Sequence, residues 1–442
     1  MRGIVKAEKV IRGRLQNIPR ATNTDDATAE AKHILYPETA YAKGQKVTGT
    51  LRKETLEVDA NGEYEAPDGT VYDRVLVIVK PYINDGIMVN ARDEDGYMSD
   101  ITLCGKILAN QHKSDTHLTK VAIAEGVTEI PTYALYGCTE LEEVTIPDTV
   151  RDIGSYAFNG CSSLKNADIA FDSQLTAIGS NAFQNCSALT GSVVIPAGVT
   201  KIGNASFNDT SSVTIIYYNA IEAVNTGNSS SVGGRAVFAR CGATRLVIGD
   251  VVKVIPYELF YMANNLATID WGDSVEEIAE RAFAECSALT IVEIPASVTK
   301  IGVSAFYKTT GTETVYYNAI AAVNTGNSSK VGGRALFGGS GVKTVVIGDG
   351  VHILPRECFY GCASLTSIEF GEALTELEPR VFGNCTSLTG VTLPANLTTI
   401  DSTAFYNCTA LKDIYVPWAE GAVAGAPWGA TAATIHYNHT GV

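Results

Sequence analysis

The sequence predicts a solenoid, a stack of similar turns that contribute short parallel strands, and three observations support this fold class. First, the stretch Ile146 to Leu164, IPDTVRDIGSYAFNGCSSL, recurs in altered form along most of the 442-residue chain. Second, a Val or Leu of this pattern returns at steps that are mostly 23 residues long. Third, an aliphatic residue and a Phe follow it at fixed distances, so the apolar positions form columns.

The columns have the following members. The first contains Val127, Val150, Leu175, Val199, Val252, Val275, Val298, Val351, Leu374 and Leu397. The second, three residues later, contains Ile130, Ile153, Ile178, Ile202, Ile255, Ile278, Ile301, Leu354, Leu377 and Ile400. The aromatic column begins with Leu135 and continues with Phe158, Phe183, Phe207, Phe260, Phe283, Phe306, Phe359, Phe382 and Phe405. One turn cannot bury these side chains alone, so stacked turns must share one continuous core.

Each repeat divides into three local elements. VTIP, from Val144, and VRDIG, from Val150, are rich in β-branched residues and end at Pro or Gly, which predicts two short strands. The next piece, SYAFNGC, predicts a single helical turn. The two residues between the first and second columns are mostly polar, as at Arg151 and Asp152, and we expect them to face solvent.

Composition divides the chain into four regions. We predict an N-terminal attachment or oligomerisation region over 1–55, then a β-hairpin and linker over 56–100. The repeat array takes 101–410, in about twelve turns, and a C-terminal cap takes 411–442. In the cap, Trp418 and Trp428 lie among Gly, Ala and Pro and are expected to cover the last turn; a binding role for them is the less favoured alternative.

The N-terminal regions predict small local elements. Asp25 to His33 favours a short helix, and Ala40 to Leu51 favours two strands around Lys43 and Gly44. Alternating apolar residues and turn formers between Thr55 and Val79 predict a hairpin. The segment from Pro81 to Asp100 is predicted to be a polar linker.

The repeat array contains a second-order duplication. The segment that starts at Tyr217, YYNAIEAVNTGNSSSVGGRAVF, matches YYNAIAAVNTGNSSKVGGRALF from Tyr316, an offset of 99 residues. These two irregular turns carry polar loops, and loops on a rigid scaffold often bind ligands; the alternative is that the loops are merely tolerated insertions.

We select as ligand-binding candidates Tyr217, Tyr218, Arg235, Tyr316, Tyr317 and Arg334, because aromatic and Arg side chains anchor interfaces. An alternative is that one Tyr of each pair is buried in the core. The polar pairs between the columns are further candidates.

Composition and motifs argue against several function classes. The formal net charge of -15 disfavours nucleic acid and anionic membranes as partners. The ten Cys mostly occupy one small position of the repeat, which Ala and Thr also take, so buried free thiols are expected rather than disulfides or a metal site. We find no catalytic, phosphate-binding or cofactor motif, no membrane-spanning run and no export signal. We therefore expect no enzyme activity, no cofactor and no membrane insertion.

The repeat, in the form quoted from Ile146 to Leu164, resembles the BspA-like leucine-rich repeats of bacterial surface and secreted proteins. This resemblance implies a right-handed leucine-rich repeat solenoid that binds protein or glycan. Two N-terminal segments resemble tail proteins of bacteriophages and prophages: DATAEAKHILYPETAYAKGQKVTGTL over 26–51 and TLEVDANGEYEAPDGTVYDRVLVIV over 55–79.

These resemblances lead to two functional expectations. The leading one is a phage or prophage tail-associated protein in the virion, whose N-terminal region contacts other tail proteins or forms a homo-oligomer and whose solenoid binds a host-surface molecule. The absence of an export signal favours it. The alternative is a bacterial cell-surface adhesin or protein-interaction module of the BspA-like class, exported by an unrecognised route.

Overall fold

The structure, a computed structural model, describes residues 29–33, 40–42, 45–47, 52–53, 56–58, 73–74, 76–78, 83–84, 87–95, 97–169, 173–221, 223–225, 236–320, 322–324 and 335–439. The chain divides into two compact units. The first comprises residues 1–107 and 117–127, and the second comprises residues 108–116 and 128–442.

The first unit is built from strands in its described part. They are Ala29–His33, Ala40–Ala42, Gln45–Val47, Arg52–Lys53, Leu56–Val58, Asp73–Arg74, Leu76–Ile78, Ile83–Asn84, Ile87–Arg92, Met98–Leu103 and Lys120–Ile123. Strands Ala40–Ala42 and Gln45–Val47 pair antiparallel, as predicted.

Three N-terminal predictions are wrong. Ala29–His33 is a strand rather than part of a helix, because it pairs antiparallel with Leu56–Val58 on one side and with Leu76–Ile78 on the other. Leu56–Val58 and Leu76–Ile78 therefore lie on either side of Ala29–His33 instead of forming a hairpin with each other. The expected polar linker contains Ile87–Arg92, which pairs antiparallel with Met98–Leu103. Backbone pairing overrides the local composition in each case.

The second unit is the solenoid, and each regular turn contributes one long and one short strand. The long strands are Glu143–Thr145, Asn166–Asp168, Gly191–Ile195, Val213–Tyr218, Arg245–Ile248, Thr268–Asp270, Ile291–Ile294, Thr314–Tyr317, Thr344–Ile347, Ser367–Glu369, Gly390–Thr392, Asp413–Tyr415 and Thr434–His436. The short strands are Glu129–Ile130, Asp152–Ile153, Ala177–Ile178, Lys201–Ile202, Val224–Asn225, Val254–Ile255, Glu277–Ile278, Lys300–Ile301, Val323–Asn324, Ile353–Leu354, Glu376–Leu377 and Thr399–Ile400. Where consecutive strands within a set are hydrogen-bonded to each other, they pair in parallel, which confirms the predicted fold class.

The expected helical turn is a series of β-turns. In the turn of Phe158, Ala157 N donates to Gly154 O at 3.3 Å within the turn, whereas Phe158 N donates to Ala182 O of the next turn at 2.8 Å. Because donors alternate between the same turn and the next one, the backbone satisfies its hydrogen bonds without a helix.

In nine of the turns, two residues that lie four apart have positive φ. The first positions are Tyr133, Tyr156, Asn181, Ala205, Glu258, Arg281, Ser304, Glu357 and Arg380. The second positions are Gly137, Gly160, Asn185, Asp209, Met262, Glu285, Lys308, Gly361 and Asn384. Gly, Asn and Asp, which tolerate this conformation best, occur mainly at the second position.

The three predicted columns are buried, each member being at most 6 % exposed. The Phe rings stack along their column, with centroid distances from 4.9 Å for Phe158 and Phe183 to 5.7 Å for Phe382 and Phe405. Phe238 and Phe337 of the irregular turns also belong to this column. Phe238, for example, stacks on the preceding and following Phe of the column at 5.2 Å and 5.3 Å. The aromatic core is therefore continuous through the irregular turns.

All ten Cys are buried free thiols, as expected. Several of them donate a hydrogen bond to a carbonyl oxygen of the preceding turn: Cys138, Cys161, Cys186, Cys286, Cys362, Cys385 and Cys408. The Cys186 Sγ, for example, lies 3.1 Å from the Phe158 oxygen. Burial raises the pKa of Cys186 and of Cys362 to about 12, so both remain protonated at neutral pH.

In the C-terminal region, the indole of Trp428 is fully buried and its Nε1 donates to Ala424 O at 2.8 Å. Its carbonyl oxygen accepts a hydrogen bond from Phe405 N at 2.9 Å, which joins this region to the last Phe of the column. Trp418 is only half-buried. Trp428 therefore performs the packing expected of a cap residue.

Candidate ligand-binding surface

The two Tyr pairs divide between the surface and the core. Successive residues of a strand point to opposite faces, so Tyr218 and Tyr317 point inward and are 0 % exposed. Tyr217 is half-buried and Tyr316 is 40 % exposed, so only the first Tyr of each pair faces outward. This corrects the selection of Tyr218 and Tyr317 and agrees with the alternative that one Tyr of each pair is buried.

The buried Tyr of each pair packs against the Phe column. Tyr317 lies edge-on to Phe359 at a centroid distance of 6.0 Å, and Tyr218 lies in the same way against Phe260 at 6.2 Å. Burial raises the pKa of both hydroxyls well above the ordinary value for Tyr. Neither ring is available to a ligand.

A third outward Tyr occupies the equivalent position one further interval along the chain. Tyr415 lies 99 residues after Tyr316, in the strand Asp413–Tyr415, where Ile414 is buried and points inward. The Tyr415 ring stacks on His436 at 4.5 Å and lies 4.8 Å from His439. Sequence reasoning missed this residue because a Val follows it in place of the second Tyr, although the 99-residue offset was a usable signal.

Strand register places each of these three Tyr in a group of outward-facing neighbours on adjacent strands. The groups follow one another from turn to turn of the solenoid. They are Tyr217, Val247 and Asp270; then Glu293, Tyr316, Val346 and Glu369; then Thr392, Tyr415 and His436. The strand that ends one group contacts the strand that begins the next. Cross-strand neighbours on one face of a sheet lie close enough for their side chains to interact. We call the three groups together the Tyr row.

The row alternates in chemical character. Each Tyr has an apolar or aromatic neighbour on the following strand, namely Val247, Val346 or His436. Polar residues separate the Tyr positions: Asp270 and Glu293 in the first interval, Glu369 and Thr392 in the second. Aromatic positions thus recur with hydrogen-bond acceptors between them.

Hydrogen bonds hold some of the polar members in place. Arg245 donates from Nε to Asp270 Oδ2 at 2.6 Å, and this ion pair is about half-exposed. Asn318 donates to Glu293 Oε1 at 3.2 Å. At the C-terminal end of the row, His436 Nε2 and the Asp413 carboxylate approach to 2.8 Å. The row is therefore a partly ordered polar surface.

The remaining sequence-selected candidates lie elsewhere. Arg235 and Arg334, together with most of the polar loops of the irregular turns, lie outside the described residues. Asn225 and Asn324, where these loops begin, donate to backbone oxygens of the following turn at 3.0 and 3.1 Å. The polar pairs between the columns are largely exposed, as predicted for Arg151 and its neighbour.

Two features are absent from the described ranges. Within them, no three His, Cys, Asp or Glu side chains are grouped so that they could hold a metal ion. The same ranges contain no helix with the length and apolar character needed to cross a membrane.

Comparison with solved structures finds leucine-rich repeat proteins. The chain is similar to a leucine-rich repeat protein from Bacteroides ovatus, with 21 % identity over 80 % of this chain and 99 % of that one and a TM-score of 0.52. It is also similar to a leucine rich cell surface protein from Faecalibacterium prausnitzii, with 24 % identity over 81 % and 95 % of the two chains and a TM-score of 0.35. A leucine-rich repeat protein from Eubacterium ventriosum shows 19 % identity over 73 % and 88 %, with a TM-score of 0.33.

Comparison with curated proteins gives no match. The family model of the BspA type leucine rich repeat region matches residues 106–232, 217–330 and 330–419. The segments that resemble tail proteins, 26–51 and 55–79, lie outside these matches, and the comparisons give no support to a tail-associated function. Since the matched residues make up most of the sequence, the chain belongs to the BspA-type leucine-rich repeat family.

Proposed function

We propose that the chain is a non-enzymatic binding protein that recognises a macromolecule at a cell surface through the Tyr row. The observation that carries this proposal is the placement of Tyr217, Tyr316 and Tyr415 at outward positions of the long strands, at equal sequence intervals. Tyr supplies a large apolar area with a polar end, which is why it is frequent among the energetically dominant residues of interfaces.

The repeat architecture supports the proposal. A solenoid presents an extended surface on a scaffold whose turns contact mainly their neighbours. The stacked Phe column and the parallel strands hold the long strands in place, so the backbone that carries the outward side chains needs little ordering when a ligand binds. Ligand recognition by a long row of side chains fits this geometry better than chemistry in a deep cleft.

The test is binding of the fluorescently labelled full chain to bacterial and epithelial cells, measured by flow cytometry. We expect the triple variant Tyr217→Ala, Tyr316→Ala and Tyr415→Ala to lose most of the binding. The matched control is Tyr406→Ala, because Tyr406 is 47 % exposed but lies outside the row. Undiminished binding by the triple variant would contradict the proposal.

A further inference from the structure

We propose that the Tyr row binds one extended, basic polypeptide that crosses the long strands and places an apolar or aromatic anchor at every sixth residue. The inference rests on the proposed function and specifies its ligand class. It uses three observations: the interval between the Tyr positions, the charge of the residues between them and the apolar neighbour of each Tyr.

The interval determines the anchor spacing. Tyr217 and Tyr316 are separated by four steps between long strands, and so are Tyr316 and Tyr415. The turns have similar spacing, since neighbouring Phe rings from Phe207 to Phe405 lie between 5.1 and 5.7 Å apart. Four strand steps therefore span roughly 20 Å.

An extended polypeptide matches this interval. Six extended residues cover about 20 Å, because each contributes at most ~3.3–3.6 Å. Six is an even number, so residues separated by it point to the same side of an extended chain. An anchor at every sixth residue would thus meet Tyr217, Tyr316 and Tyr415 in succession.

The charge between the anchors favours a basic ligand. Asp270 is paired with Arg245, but in the described ranges Glu293 and Glu369 have no Lys or Arg within ion-pair distance. The chain as a whole carries a formal charge of -15. Lys or Arg residues between the anchors would complement these carboxylates, and complementary charge also raises the rate of association.

The neighbours of the Tyr rings favour apolar or aromatic anchors. Val247 and Val346 are half-buried and lie directly beside Tyr217 and Tyr316 in the register. At the third Tyr, the stacked ring of His436 takes the same place. An anchor side chain therefore meets an aromatic ring and a second carbon-rich surface at each position.

The experiment uses three synthetic peptides and fluorescence anisotropy with the full chain. The first peptide has three Phe residues six positions apart, with Lys and Ser between them. The second has the same composition with Phe four positions apart, and the third replaces every Lys of the first with Glu. We expect the first to bind at least about tenfold more tightly than the second, and the third not to bind.

Variants of the chain provide the second arm. Tyr217→Ala, Tyr316→Ala and Tyr415→Ala should each weaken binding of the first peptide about tenfold, and Tyr406→Ala should leave it unchanged. Glu369→Lys, at an exposed position that should not affect folding, should weaken it several-fold. Equal affinity for the first two peptides, or affinity that no Tyr variant changes, would overturn the inference.

The two proposals fail in different ways. If cells bind the chain in a Tyr-dependent manner but the first peptide is not preferred, the proposed function stands and the polypeptide inference is wrong. Cell binding that periodate removes and protease spares would show a glycan ligand, which would also overturn the inference. If neither cells nor peptides respond to the Tyr variants, both proposals fail.

Discussion

Arg380 donates a hydrogen bond from Nε to Glu357 Oε1 at 2.8 Å, although the side chain of Glu357 is only 1 % exposed and that of Arg380 only 16 %. A buried carboxylate of this kind depends on its partner, because water cannot solvate it. By contrast, the pair of Arg245 and Asp270 is 52 % and 44 % exposed.

We expect Arg380→Leu to lower the free energy of unfolding by about 3–5 kcal/mol, because it removes the positive charge and the hydrogen bond that Arg380 supplies to the buried Glu357 carboxylate. Arg245→Leu is the control and should cost about 1 kcal/mol or less. Urea unfolding followed by circular dichroism measures both. Adding Glu357→Gln to Arg380→Leu should recover much of the loss; if it does not, the cost arises from packing rather than charge.

At the positive-φ positions, we expect substitutions to Gly and from Gly to change the stability of the chain in opposite directions. Lys308 and Gly361 occupy the same position of two turns, with φ of 54° and 78°. Lys308→Gly should stabilise the chain by about 1 kcal/mol, whereas Gly361→Ala should destabilise it by about 1–2 kcal/mol, since a Cβ is disfavoured in this conformation. A Cβ at Gly361 would meet only the Gly338 Cα at 3.8 Å and the Gly339 N at 4.0 Å, so steric overlap would not confuse the result. Thermal unfolding of both variants is the measurement, and shifts of the same sign would contradict the explanation.

The Phe column predicts a local effect. Phe283 stacks on Phe260 and Phe306, each at 5.2 Å, and is fully buried. Phe283→Ala should therefore cost about 3–5 kcal/mol. Because turns interact mainly with their neighbours, hydrogen exchange should accelerate most in the adjacent turns and much less near Phe158. Uniform acceleration along the solenoid would argue against nearest-neighbour coupling.

The buried thiols predict a loss of stability in alkali. The pKa of Cys186 is raised from 9.0 to about 12 in the folded chain, so the folded state keeps its proton where the unfolded state loses it. Stability from this group is fully present below pH 9 and is lost as the pH rises from 9 to about 12, by at most about 1.4 kcal/mol per pH unit.

The measurement is urea unfolding between about pH 8 and pH 11, for the original chain and for Cys186→Ala. Ala occurs at the equivalent position Ala263, so the substitution is compatible with the fold. The variant should lose less stability across this pH interval than the original chain. Parallel pH profiles of the two proteins would refute the role of Cys186.

The regular repeat made the solenoid predictable from the sequence. The prediction of core residues failed where the repeat spacing is interrupted. The spacing of Phe158 and Phe183 placed the aromatic column in the core without structural information. Phe238 and Phe337 were missed because the irregular turns change the sequence spacing, while the backbone still places both rings in the stack. At Ala29–His33, helix-favouring composition was overridden by pairing with two strands distant in sequence.

The candidate surface was harder to predict than the core. Tyr217 and Tyr218 are adjacent in sequence, and only the alternation of a strand whose register is known decides which ring is exposed. The relation between Tyr316, Glu293 and Glu369 depends on pairing between residues from different turns. Such neighbours are far apart in the sequence and carry no local motif.

The 99-residue interval also determines how such a chain can change its length. Recombination that adds or removes a whole block of four turns keeps the Phe stack continuous and shifts the outward Tyr by one complete interval. Gain or loss of a single turn would preserve the core equally well, but it would change the number of turns between neighbouring outward Tyr residues from four to five or three. Selection on fold alone would tolerate both kinds of event, so under the proposed function the spacing of Tyr217, Tyr316 and Tyr415 would restrict length variation more than stability does.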